Sequence, residues 1–132
     1  MKRLFINLPV RDLETSKLFF TKLGFELNPK FSDDKGACLV VNEYACVMLL
    51  TQPFFKTFTR NAIADTKLST ETLVCFSVDS RAEVDRAVER ALVNGGKEAM
   101  PPQDHGFMYG RSFYDLDGHH WEVMWMDPAA AQ

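Results

Sequence analysis

At 132 residues, with 46% hydrophobic and 25% charged side chains, the chain has the size and balance of one globular domain with a single core, which excludes a disordered chain. Fifteen Lys and Arg, scattered along the chain without lining one stretch, stand against eighteen Asp and Glu for a net charge of −3, which argues against a nucleic-acid partner. The opening run MKRLFINLPV is broken by Asn7, Pro9 and Arg11 too early for a signal peptide, and no other segment approaches a membrane span, so neither secretion nor a membrane partner is expected. Cys38, Cys46 and Cys75 are odd in number, widely spaced and outside any CxxC or Cys-His pattern, and read as reduced core residues of a cytoplasmic protein.

In chain order, LFINLPV (Leu4 to Val10) alternates as a strand, and Asp12 is placed to cap a helix carrying Leu13, Phe19, Phe20 and Leu23, ended by Gly24 in a left-handed conformation. FELNPKF (Phe25 to Phe31), GACLVVN (Gly36 to Asn42) and YACVMLLT (Tyr44 to Thr51) read as three strands, completing a βαβββ module over about 1–51. A connection over about 52–70 carries Phe54, Phe55 and Phe58, read as a short helix that closes the pocket or packs on a second subunit, or as a satellite core under the linker. TLVCFSV (Thr72 to Val78) is the next strand, and Ser80 with Glu83 forms an S-x-x-E capping box, each side chain accepting from the other's amide. The helix that follows has Val84, Ala87, Val88, Ala91 and Leu92 as its stripe and stops at Gly95-Gly96. A short strand near Lys97 to Met100, the loop PPQDHG, and the strands MYGRSFYD and HHWEVMWM close a second βαβββ module over about 71–126, with a tail over 127–132.

The halves repeat each other: Phe5 to Val10 returns as Leu73 to Val78, and Gly36 to Leu50 as Gly110 to Met124, with extra residues in the second half around Pro101 to Gly106. On these residues the chain resembles the vicinal-oxygen-chelate superfamily, the glyoxalase, bleomycin-resistance and dioxygenase group. The block FINLPVRDLETSKLFFTKLGFEL (Phe5 to Leu27) looks like its opening strand and helix. YDLDGHHWEVMW (Tyr114 to Trp125) looks like its closing D-P-D-G-[HN]-x-[WIL]-E-[LV] hairpin, with Leu116 in place of the proline. PQDHGFMYGRSF and the ending WEVMWMDP resemble a glyoxalase-like subgroup without a settled reaction. The resemblance implies an α+β fold in one domain over 1–132: two βαβββ modules forming a curled mixed sheet, helices on the convex face and a pocket on the concave one.

Metal-dependent members of that superfamily place ligands on the opening and closing strands of each module. Here the opening positions are Phe5 and Leu73 and the closing ones Met48 and Glu122, so one ligand of four remains. The expectation is therefore no cofactor; a divalent metal enters only through a displaced triad of His105, His120 and Glu122. Strand alternation assigns Phe5, Asn7, Cys46, Met48, Leu50, Leu73, Cys75, His120, Glu122 and Met124 to the pocket face. Glu122 is the candidate catalytic or anchoring group, against a structural reading as a salt bridge to Arg111. Asn7, Met48, His105, Tyr109, Arg111 and His120 are the candidate ligand-binding residues, with loop or strand-end roles as the alternative for Asn7, His105, Tyr109 and Arg111. His119, in the turn, is expected to face solvent.

Two functions follow from this set. One is a protein that binds a small organic ligand in an apolar pocket without the usual metal; the other is a lyase or isomerase of glyoxalase type, akin to lactoylglutathione lyase, with Glu122 as base. A homodimer is expected from the aromatic run Phe54 to Phe58 and from the resemblance.

Overall fold

Alternating Leu and Ile build the first strand, β1 (Leu4–Val10), and the side chain of Asp12 accepts from the Thr15 amide at 3.1 Å to start helix α1 (Leu13–Lys22). These and the following coordinates come from a computed structural model that describes residues 1–130; positions 131 and 132 of the tail lie outside the described residues. Gly24 ends the helical segment at φ 107°, where a Cβ would be strained. The strand expected over Phe25 to Phe31 is shorter. Only β2 (Glu26–Leu27) pairs, because Pro29 lacks the ladder N–H and Asn28 caps a 3-10 turn over Pro29–Phe31 by accepting from the Lys30 amide at 3.0 Å. Strands β3 (Gly36–Asn42) and β4 (Ala45–Thr51) follow, then a four-residue helix, α2 (Gln52–Phe55), and a 3-10 turn over Lys56–Phe58.

The chain divides into two compact units, the first Met1–Asp65 and the second from Thr66 onward. In the first, the strand order is β1-β4-β3-β2, with β1 and β4 parallel and the other pairs antiparallel. Helix α1 packs on β3 and β4, and the side chains beneath it, Leu8, Leu39, Val47 and Leu49, are almost fully buried. Each of these contributes about 1.5–3 kcal/mol relative to an exposed position.

The second unit repeats the plan with β5 (Leu73–Ser77), α3 (Arg81–Val93), β6 (Lys97–Glu98), β7 (Gln103–Asp104), β8 (Met108–Tyr114) and β9 (His120–Met126). Its order is β5-β9-β8-β6, with β7 also paired to β8, so the enlarged loop of the second half contributes an extra short strand. Ser80 caps α3 as expected, accepting from the Glu83 amide, but Glu83 returns its carboxylate to the Asp79 amide at 2.7 Å rather than to Ser80. Val84, Val88 and Ala91 of α3 bury fully against Phe113, Trp121 and Val123, with the Phe113 and Trp121 rings stacked 6.2 Å apart. No helix among the described residues is long and apolar enough to cross a membrane.

Candidate functional site

The two sheets share one register. In the first, Asn7 and Cys38 stand beside Met48, and Phe5 and Val40 beside Cys46. In the second, Cys75 and Ser112 stand beside Glu122, and Leu73 and Tyr114 beside His120. The repeat read from sequence therefore extends to individual pairings: position 48 matches 122, 46 matches 120, and 38 matches 112.

Side chains alternate across β9. Trp121, Val123 and Trp125 fall on the α3 side, while His120, Glu122 and Met124 fall on the other with Leu73 and Cys75 of β5. On that second face, Glu122 is half-buried and makes no hydrogen bond or ion pair within the described residues. His120 is 9% exposed and its Nε2 is buried with no hydrogen-bond partner; its ring meets the edge of Tyr114 at 5.3 Å. Partial desolvation against the sheet, and then the neighbouring Glu122 charge, push the Cys75 thiol above its ordinary value although the residue keeps a solvent-exposed surface. Cys75 is exposed, not the core residue expected. Ser112 and Tyr114, on the face of Glu122, are not among the candidates drawn from sequence; the hairpin register identifies them.

Arg111 does not pair with Glu122. The residue opposite Glu122 is Ser112, which places Arg111 opposite Val123 and on the α3 side. There its nearly buried guanidinium meets Asp85 at 3.2 Å and Glu89 at 2.9 Å. The Tyr109 hydroxyl donates to the same Asp85 at 2.6 Å, and that bond is the chief cause holding the phenol above its ordinary range. Tyr109 and Arg111 thus tie β8 to α3 and do not share the face of Glu122.

His105 is exposed at the far end of the sheet. Its amide bonds Met108, which pairs with Met126, whereas His120 pairs with Tyr114 six residues along β8, about 20 Å away at the rise of a strand. The triad of His105, His120 and Glu122 is consequently not assembled, and among the described residues no three His, Cys, Asp or Glu side chains are grouped to hold a metal. The superfamily's ligand positions fit a divalent metal no better. Phe5, Leu73 and Met48 bring no hard donor, and the neighbours of Phe5 and Leu73 are Cys46 and His120, without a converging set. In the first sheet Asn7 is exposed beside Met48.

The D-L-D-G-H-x-W segment is structural. Buried Asp115 accepts from the Trp121 indole at 2.9 Å and from the amides of Asp117 and His119, closing the β8–β9 turn. Burial raises its carboxyl, opposed by His119 and these donors. His119 is buried, contrary to expectation, with Nδ1 at 3.7 Å from Glu71.

A model of the Glyoxalase/Bleomycin resistance protein/Dioxygenase superfamily matches residues 3–123. Among solved structures, a hypothetical protein from S. aureus is similar at 28% identity and TM-score 0.79, covering 94% of this chain and 93% of its own. A glyoxalase-related enzyme from Fulvimarina pelagi superposes at TM-score 0.77 and 20% identity, over 95% of this chain and 88% of its own. A genomically encoded fosfomycin resistance protein from Listeria monocytogenes does so at TM-score 0.66 and 20% identity, over 97% and 95%. No sequence among the curated proteins matches.

Proposed function

Because this chain belongs to the glyoxalase/bleomycin resistance protein/dioxygenase superfamily, we propose that it binds a small organic molecule on the face of the second sheet that carries Glu122. The observation behind this reading is the pair Glu122 and His120: two polar groups on one face, the carboxylate without a cation and a buried imidazole nitrogen without a partner. An unsatisfied polar group in such a place is a standing cost of about 1–3 kcal/mol, which a ligand with a complementary end offsets. A carboxylate favours a cationic or N–H end, and Leu73 and Met124 offer apolar surface for the rest of the molecule. The ligand meets the carboxylate directly, with no divalent metal between them.

The same unpaired carboxylate supports a second reading, in which Glu122 removes a proton from a carbon acid as in a lyase or isomerase. Exchange of a bound ligand's C–H in deuterated water, lost in Glu122→Gln, distinguishes that reaction from binding alone.

Thermal melts with phenylalkylamines, run beside the matching carboxylic acids, test the binding reading. The amines should raise Tm, a ligand at about 100 times its Kd adding about 2.7 kcal/mol. Glu122→Gln should abolish the rise and leave the free protein's Tm unchanged or higher, since no salt-bridge partner is stranded. A rise with the acids alone, or one that survives Glu122→Gln, overturns the proposal.

A further inference from the structure

The three positions that hold Ser112, His120 and Glu122 in the second unit hold Cys38, Cys46 and Met48 in the first. Oxygen and nitrogen donors are replaced by sulfur at each one. Cys46 and Met48 lie two residues apart on one face of β4, and Cys38 lies directly opposite Met48 on β3. Both thiols are buried, and both line a hollow of about 140 Å³ that also touches Phe5, Phe31, Arg3 and Glu43.

From this juxtaposition we propose that Cys38 and Cys46, assisted by the Met48 thioether, form a site for a soft monovalent cation such as Cu⁺. Thiolate and thioether donors select soft ions, which accept two or three sulfurs without the converging oxygen and nitrogen set that a divalent metal needs. The spacing separates this reading from a disulfide. Cys38 faces Met48, so Cys46 is its diagonal neighbour; diagonal positions lie about 7–8 Å apart, beyond the roughly 6.8 Å Cα separation an S–S bond tolerates. The two thiols themselves are in contact, within reach of a single bridging ion. On binding, two S–H bonds break, two S–Cu bonds form and two protons leave to water. The bis-thiolate complex then carries one negative charge, with Arg3 the cation lining the same hollow. Burial, then contact with Cys38, push the Cys46 thiol up to about 12, so the ion must displace firmly held protons.

The test is anaerobic titration of the reduced full chain with Cu⁺ against a coloured Cu⁺ chelator, with alkylation of the loaded protein read by mass. One Cu⁺ per chain is expected, with Cys38 and Cys46 protected and Cys75 still alkylated. Cys38→Ser and Cys46→Ser should each weaken binding by about 100-fold or more, the upper end of the loss seen when even an outer-shell partner is removed. Met48→Leu should weaken it less, and Cys75→Ser not at all. Near-ultraviolet circular dichroism checks that the variants fold, with Cys→Ala replacements used where Ser does not. The proposal fails if the chelator keeps all the Cu⁺, if a Cys38→Ser/Cys46→Ser double variant binds as the parent does, if Cys75→Ser abolishes binding, or if oxidised glutathione links Cys38 to Cys46.

Discussion

Asp115 shows how one side chain organises a motif. Its carboxylate satisfies the Trp121 indole and two turn amides, so Asp115→Ala leaves buried donors unpaired, at about 1–3 kcal/mol for each group that water cannot reach. Urea unfolding should show a loss of at least that size together with a change in tryptophan fluorescence; an unchanged midpoint would mean that solvent supplies the missing acceptor. Cys46 gives the complementary prediction with pH. Its folded-state thiol is raised from 9.0 to about 12, so the stability it contributes is complete below pH 9 and is lost as pH climbs through about 12. Subtracting the stability profile of Cys46→Ala from that of the parent should isolate a decline confined to this alkaline window, and a flat difference would contradict the shift.

At the level of elements, the end of α3 depends on Gly96. A Cβ there would lie 2.9 Å from the Ala91 and Tyr114 carbonyl oxygens, both backbone atoms that cannot swing away. Gly96→Ala should therefore cost about 1–3 kcal/mol, as overpacking does elsewhere, measured as a shift of the urea midpoint at constant slope. Most of this architecture was legible in the sequence: β1, α1, β3 and α3 follow from alternation, helical stripes and caps, and the repeat located their counterparts. Local backbone chemistry hid the rest. Pro29 and Asn28 convert the end of an apparent strand into a 3-10 turn. Within the candidate site, alternation along β9 puts Glu122 and His120 on one face, whereas the salt bridge between Arg111 and Glu122 that the sequence offers as an alternative does not form, because strand parity puts Arg111 on the other side. Hairpin register decides that point, because a slip of one residue across the β8–β9 turn exchanges every facing pair. Composition and periodicity do not fix that register; the Asp115 turn does.

For the whole molecule, several large apolar side chains remain uncovered, among them Phe58 at 68% exposure, Phe5 at 49% and Leu73 at 54%. Phe58 meets Phe54 edge-on at 5.1 Å, an aromatic pair that a second copy of the chain would cover. Light scattering should return a mass near twice 15.0 kDa, and Phe58→Ser should shift it toward the monomer; a parent that is monomeric at micromolar concentration would contradict the dimer. The chain holds two copies of one three-position frame, and the strands of each copy pair only within their own sheet. One copy now displays sulfur and the other oxygen and nitrogen. Symmetry of backbone is thus kept while symmetry of chemistry is lost, and a substitution within one frame should leave the strand pairing of the other unchanged.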